Sequence, residues 1–158
     1  MLLGKKRKLG RKVEDMSVGE KLKLTEKIED KDLLLYLGLT NDGNPLYIQH
    51  DFASQTQYEK PIVPTIMLTG IITSAISKYL PGPGSHITEQ HLKYLKPVYH
   101  YSTIEFLLQV ISVDAEKNEV KIEVTATNEQ GDTVIEGKIT STPPRLQNHS
   151  ISQAMDNF

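Results

Sequence analysis

The sequence has 158 residues and a mass of 17.8 kDa, which suits one domain large enough to bury a hydrophobic core. It contains no cysteine, so disulfide bonds are excluded. No apolar run approaches the length of about 20 residues that a helix needs to span a bilayer. The first residues, Met1-Leu2-Leu3-Gly4, are too short for a secretory apolar segment, so we expect a cytoplasmic protein.

Charge is distributed unevenly along the chain. The net charge is -2, but residues 1–12 hold six basic side chains, which leaves twelve basic against 20 acidic residues in the remainder. The six are Lys5, Lys6, Arg7, Lys8, Arg11 and Lys12. We interpret residues 1–16 as a flexible basic arm. Contact with acidic lipid or a phosphate-bearing carrier stays open, whereas nucleic acid is unexpected because no aromatic residue is interleaved with these charges.

The first regular elements are predicted to be a strand and a short helix. Residues 19–28 alternate apolar and charged side chains, which is typical of a half-buried strand. A leucine-rich segment follows, and Asp30 is a suitable cap for a helix that ends near Gly38.

Turn-forming residues are concentrated in residues 40–45. The sequence Asn41-Asp42-Gly43 precedes Asn44-Pro45. Pro45 keeps Asn44 away from helical backbone angles and suits the first position of a new helical turn. We therefore expect a rigid turn between two helical pieces, with side chains held in fixed directions.

The longest apolar element is predicted at residues 64–80. Its hydrophobic residues cover most of a helical circumference, with no charge before Lys78, so we expect a helix that is buried on nearly all sides. Pro64 suits its first turn, and the sequence Pro81-Gly82-Pro83-Gly84 ends it.

After this helix the hydrophobic period changes to two residues. Residues 104–110, 120–126 and 134–139 are therefore predicted to form antiparallel strands. One strand, a buried helix and a run of strands indicate an α+β domain, with the helix in the concave face of a curved sheet. We place this domain at residues 17–142 and a polar C-terminal tail at residues 143–158.

Five short segments match a known family in order and spacing: Asp42-Gly43-Asn44-Pro45-Leu46, Phe52-Ala53, Pro61-Ile62-Val63, Leu80-Pro81-Gly82 and Lys96-Pro97-Val98. They resemble the MaoC-like, hot-dog-fold (R)-specific enoyl-CoA hydratases and 3-hydroxyacyl dehydratases. The resemblance implies a hot-dog fold, an acyl-CoA or acyl-carrier thioester as substrate and no bound cofactor. It also implies a homodimer whose sheets join edge to edge, with the acyl-thioester tunnel at the subunit interface.

In that family an aspartate and a histidine hold the water that adds across the 2,3 double bond of the thioester. The family pattern is Asp-x-Asn-Pro-aliphatic-His, with a small residue six positions after the histidine. Asp42, Asn44 and Ala53 match this pattern, but Tyr47 occupies the histidine position. The resemblance therefore makes Asp42 and Tyr47 the candidate catalytic residues, and Asn44 a candidate substrate-binding residue.

The resemblance also implies that the thioester carbonyl meets the N-terminus of the long helix, where free amides and the helix dipole favour a developing anion. Thr65 and Ile66 are therefore candidate substrate-binding residues. The family usually has Val-His-Gly-Met where this chain has Val63-Pro64-Thr65-Ile66, and Pro64 has no amide proton. A third departure, after Tyr47 and Pro64-Thr65, is Tyr101-Ser102, where the family has Gly-Asp.

Each candidate has an alternative interpretation. The phenol of Tyr47 can donate a hydrogen bond but, with an ordinary pKa of about 10, it is a poor base; alternatively, it only fills the former histidine site. Asp42 can serve as a turn residue that caps local amides. His50 would lie near the same helical face as Tyr47 and offers a replacement. The spacing of the histidines does not resemble a metal site, so no metal is predicted.

The first functional hypothesis is a hydratase or dehydratase of acyl thioesters with an altered active site. Losing one positioned proton-transfer group predicts a rate lower by on the order of 10²–10⁴. The alternative is a non-catalytic acyl-thioester-binding or subunit-type protein. A thioesterase is a third hypothesis, because fold does not fix function.

Overall fold

An antiparallel sheet and one long helix form the body of the protein, which a computed structural model describes for residues 8–146. The strands are β1 (Lys21–Lys27), β2 (His86–Tyr94), β3 (Thr103–Asp114), β4 (Glu119–Thr127) and β5 (Thr133–Thr142). Their order in the sheet is β1-β3-β4-β5-β2. The helices are α1 (Asp30–Thr40), α2 (Pro45–Ile48), α3 (His50–Ala53) and α4 (Thr65–Tyr79), and a 3-10 turn spans Val13–Asp15. The predicted α+β architecture is confirmed.

The hydrophobic core lies between α4 and one face of the sheet. In β4, Val120, Ile122, Val124 and Ala126 are fully buried, whereas Lys121 and Glu123 are exposed. Successive side chains of a strand point to opposite faces, so this alternation gives β4 one apolar and one polar face. Leu68, Ile72 and Ile76 of α4 belong to the same core cluster.

α4 is buried on one face of the single chain, which corrects the prediction of burial on nearly all sides. Leu68 and Ile72 are at most 2% exposed, whereas Ile66 is 53% exposed and Gly70 also faces solvent. The sheet covers one side of α4, and α1, which has no fully buried residue, covers little of the rest. No helix within residues 8–146 is long and apolar enough to cross a membrane.

The packed part of the chain begins before the predicted domain boundary at residue 17. Val13 and Met16 belong to the core cluster. The Gly10 N–H donates to the carbonyl of Pro83 at 2.7 Å, which fixes the chain against the end of α4. Residues 10–16 are therefore part of the packed domain, and residues 1–7 of the predicted arm lie outside the described residues.

The C-terminal end also packs beyond its predicted boundary. Pro143 and Pro144 are buried, and the Asn118 side chain donates to the carbonyl of Pro143 at 3.0 Å. The Arg145 guanidinium reaches Glu14 at 3.1 Å. The packed chain thus continues past residue 142, and residues 147–158 of the predicted tail lie outside the described part.

β2 forms one edge of the sheet and pairs with β5. Most of its residues are exposed, with Ile87 and Leu92 half-buried. Gly137 of β5 lies opposite Leu92, and a Cβ added to Gly137 would lie 1.9 Å from the carbonyl oxygen of His91. The close approach of β2 to β5 therefore requires glycine at this position.

Candidate active site

The loop that carries Asp42 begins at the C-terminal end of α1. Asn41 ends the helix in the left-handed conformation, with φ of 54°, and its N–H donates to the carbonyl of Leu37 at 2.8 Å. Asparagine tolerates this conformation better than most residues. The chain reverses there, so that Asp42 returns to α1 and contacts Tyr36, six residues earlier.

Both oxygens of the Asp42 carboxylate accept hydrogen bonds. Oδ2 accepts from the Tyr36 hydroxyl at 2.6 Å, and Oδ1 accepts from the Asn44 N–H at 3.2 Å. The Asp42 N–H donates to the Thr40 hydroxyl at 3.3 Å. The contact with Asn44 is the local amide capping that the turn interpretation predicts. Since each carboxylate oxygen can accept two hydrogen bonds, each retains an acceptor position.

Asn44 is the N-cap of α2. Its Oδ1 accepts from the Leu46 N–H at 3.0 Å, and Pro45 occupies the first helical position, as the turn residues predict. The side-chain oxygen of Asn44 is thus used within the turn. Its Nδ2 group and the second acceptor position of Oδ1 are left to contact a substrate.

Replacing Asn44 with alanine is expected to lower the free energy of unfolding by about 1 kcal/mol, because the Leu46 amide loses its cap. Urea unfolding followed by circular dichroism would measure the loss. The matched control is Gln49→Ala at the N-cap of α3, where the side chain makes no cap hydrogen bond. Equal stability of the two variants would show that the Asn44 side chain does not hold the turn.

Tyr47 lies on α2 and is half-buried. The pKa of Tyr36 is raised, chiefly because its phenol donates to the Asp42 carboxylate. Tyr36 and Asp42 are thus joined directly by a hydrogen bond between α1 and the loop. Tyr36 was not predicted as a site residue from the sequence; the signal that could have found it is a hydroxyl within a leucine-rich segment.

His50 does not share a helical face with Tyr47, contrary to the proposed replacement. α2 ends at Ile48, Gln49 is extended with φ of -114°, and His50 begins the separate turn α3. The chain changes direction between the two side chains, so their spacing in sequence does not place them together on one helix.

A backbone hydrogen bond ties α2, which follows the loop of Asp42, to the segment that leads into α4. The Ile62 N–H donates to the carbonyl of Leu46 at 3.1 Å, and the Val63 N–H donates to the carbonyl of Val98 at 2.7 Å. Leu46 precedes Tyr47, and Ile62 lies three residues before Thr65. This connection fixes the loop relative to the first turn of α4.

The first turn of α4 presents free amides. Thr65 and Ile66 are exposed, and within residues 8–146 their N–H groups have no hydrogen-bond acceptor. Pro64 precedes them as N-cap and makes no side-chain cap. Free N–H groups and the helix dipole make such a helix start favourable for a partial negative charge.

Tyr101 keeps a backbone conformation that favours glycine, with φ of 67°. Its N–H donates to the carbonyl of Ile28 at 2.7 Å, and its hydroxyl donates to the carboxylate of Asp30 at the start of α1. The N-cap of α1 is Glu29, one residue before the predicted cap Asp30, and the Glu29 N–H donates to the Asp32 side chain at 3.1 Å. The departure at Tyr101-Ser102 therefore adds a contact to α1.

A cavity of about 410 Å³ lies between β1, α1 and α4. Its apolar lining comes from Leu24, Ile28, Leu35, Met67, Ile71 and Ala75. Charged side chains of Glu26, Asp32 and Lys78 also contact it. Asp42 and Tyr47 do not line this cavity, although Leu35 is next to Tyr36 in α1.

Known proteins resemble this chain in sequence and in structure. An (R)-specific enoyl-CoA hydratase from Rhodospirillum rubrum is 33% identical over 113 residues, which cover 72% of this chain and 78% of that protein. A 3-hydroxybutyryl-CoA dehydratase from Methylorubrum extorquens is 27% identical over 122 residues, with 77% and 76% covered. The unliganded R-hydratase PhaJ1 from Pseudomonas aeruginosa superimposes with a TM-score of 0.79 at 27% identity, covering 87% of this chain and 88% of that one.

The family relationship follows from a match over most of the chain. The sequence profile of the MaoC-like domain matches residues 13–132, which include the loop of Asp42, the whole of α4 and the first four strands. This range also begins near Val13, where the packed core begins. The chain therefore belongs to the MaoC-like dehydratase family, with the hot-dog fold that the resemblance implied.

Proposed function

We propose that the protein is an acyl-thioester hydratase or dehydratase, which adds water reversibly to the 2,3 double bond of an enoyl-CoA or enoyl-carrier thioester. The observation that carries this proposal is the Asp42 carboxylate, which two donors hold on a loop whose following helix, α2, is bonded to the segment that leads into α4. The relatives named as enoyl-CoA hydratase and 3-hydroxybutyryl-CoA dehydratase support the same reaction class.

In the proposed reaction Asp42 is the proton carrier. Its carboxylate accepts a proton from water as the water oxygen forms a bond to C3, while the electron pair of the double bond moves to the thioester oxygen. The Asp42 carboxyl group then gives this proton to C2, the carbonyl re-forms, and the carboxylate is restored. The role of Tyr47 in this proposal is to orient the water through its hydroxyl, which can donate and accept hydrogen bonds.

The thioester is proposed to bind with its carbonyl at the start of α4. The N–H groups of Thr65 and Ile66 would donate to the oxygen as it gains charge, and Pro64 cannot contribute. The Nδ2 group of Asn44 remains available to the substrate. The acyl chain would lie along the apolar lining residues of the cavity beside α4, whose volume of about 410 Å³ is within the range of ligand sites.

The proposed partner is a second copy of the chain. β2 is an exposed edge strand, and unpaired strand edges favour addition of another strand. Ile66, Tyr94 and Leu95 are exposed apolar side chains on α4 and at the end of β2. A two-fold dimer through β2 would cover such residues and extend the sheet. We also propose a cytoplasmic location, with which the lack of cysteine is compatible.

The test is turnover of crotonyl-CoA and longer enoyl-CoA substrates, followed as loss of the conjugated enoyl-thioester absorbance. We expect the wild type to form a 3-hydroxyacyl thioester without releasing free thiol. Tyr47→His is expected to raise kcat by on the order of 10-fold, less than a full acid–base group contributes because the Pro64-Thr65 change remains. Tyr47→Phe, the matched variant without a hydroxyl, is expected to lower kcat.

Other outcomes would assign a different function. Tyr47 at the histidine position favours the non-catalytic alternative, which predicts no turnover at any chain length together with measurable acyl-CoA binding. Release of free thiol would instead identify a thioesterase. Unchanged turnover in both Tyr47 variants would remove Tyr47 from the reaction.

A further inference from the structure

Tyr36 is the side chain in direct contact with the candidate proton carrier. Its hydroxyl lies 2.6 Å from Asp42 Oδ2, and it comes from α1 rather than from the loop itself. The Thr40 hydroxyl donates to the carbonyl of Tyr36 at 2.8 Å and accepts from the N–H of Asp42 at 3.3 Å. Together with the cap at Asn41, these bonds hold the C-terminal end of α1 against the loop. The contact is therefore supported from both sides.

Two donors at opposite oxygens restrict the rotation of a carboxylate. The Asn44 N–H fixes Oδ1 through the backbone, but one donor alone leaves the plane of the carboxylate free to turn. The Tyr36 hydroxyl at Oδ2 supplies the second fixed point. The remaining acceptor position on each oxygen is then held in one direction, where a single water can bind.

We propose that Tyr36 is a positioning residue that orients the Asp42 carboxylate toward the reacting water, an inference that rests on the proposed hydratase function. Tyr36 acts through Asp42 and takes no proton from the substrate. With Tyr47 in place of histidine, orientation of Asp42 gains importance, because one carboxylate performs both proton transfers.

Tyrosine suits this role because it remains a donor over the working range of pH. Its ordinary pKa is about 10. The hydrogen bond to Asp42 raises the pKa of Tyr36 further, so the phenol keeps its proton at neutral pH and for some distance above its ordinary value.

The experiment compares wild type with Tyr36→Phe, using the enoyl-CoA absorbance assay with the folded fraction of each protein measured by circular dichroism. We expect kcat to fall about 10-fold with KM changed less than twofold, because the substrate contacts remain. A role in folding alone would lower the folded fraction and leave kcat per folded molecule unchanged.

Tyr101→Phe is the matched control, since it removes a tyrosine hydroxyl that bonds an aspartate at the other end of α1. We expect its kcat and KM to equal those of the wild type. A kcat per folded molecule equal to that of the wild type in Tyr36→Phe would overturn the positioning role alone, as would the same loss of kcat in both variants. A wild type without turnover would overturn the proposed function, and the positioning role with it.

Discussion

Asp42→Asn is expected to lower kcat for enoyl-thioester hydration by about 10²–10⁴-fold, with little change in KM. Asparagine has nearly the same shape and keeps an oxygen for the Asn44 N–H, but its amide cannot accept a proton from water. The substitution therefore removes the proton transfer while the turn keeps an acceptor for its backbone contact. Steady-state turnover of crotonyl-CoA and a longer substrate would measure the loss.

The matched control for this experiment is Asp51→Asn. Asp51 is an exposed aspartate of α3, and its backbone carbonyl accepts hydrogen bonds from Ser54 and Gln55. The kcat of Asp51→Asn is expected to equal that of the wild type. If Asp42→Asn kept more than about a third of the wild-type rate, another group would be the proton carrier, and the assignment of this role to Asp42 would be wrong.

The elements could be predicted from the sequence where one local pattern decides them. Val120, Ile122 and Val124 alternate with charged residues, and this pattern alone defines β4 and its buried face. Pro45 after Asn44 predicts the start of α2, because proline at the first helical position and an asparagine cap are both local effects. The hot-dog fold was predicted from the order and spacing of the five segments that resemble the family.

Features that depend on two distant parts of the chain could not be predicted in this way. The contact of Tyr36 with Asp42 requires the left-handed cap at Asn41, which no periodicity reveals. The exposed side of α4 around Ile66 depends on how far a single sheet wraps the helix. His50 leaves the face of Tyr47 because Gln49 becomes extended, which a helical count of three residues cannot foresee.

The departures from the family pattern differ in their physical consequence. Tyr101 retains a backbone conformation that favours glycine and gains a contact with Asp30, so it changes how α1 is held. Thr65 still presents a free N–H at the start of α4, so the change from glycine alters bulk near the proposed carbonyl site. Tyr47 is the departure that replaces the histidine of the family pattern.

Gly137→Ala is expected to destabilise the protein by about 3 kcal/mol, the upper end of ordinary overpacking costs. The added Cβ would lie 1.9 Å from the carbonyl oxygen of His91 and 2.9 Å from the Cα of Leu92. Both are backbone atoms of β2, which cannot rotate away as a side chain could, so β2 must move from β5 and lose ladder hydrogen bonds. Thermal unfolding should show a decrease in Tm of about 10 °C.

Because β2 is an edge strand, the loss of stability in Gly137→Ala should appear as local opening of β2 before the whole domain unfolds. Hydrogen exchange of amides in β2 and β5 is expected to accelerate in Gly137→Ala, while exchange in β3 and β4 changes less. Gly38→Ala is the matched control, since a Cβ there meets nothing within 4 Å and alanine stabilises an exposed helix by about 0.5–1 kcal/mol. If the proposed dimer joins through β2, Gly137→Ala should also weaken the dimer, which sedimentation experiments would measure. Unchanged stability and unchanged hydrogen exchange in Gly137→Ala would show that β2 and β5 tolerate a side chain at their closest approach.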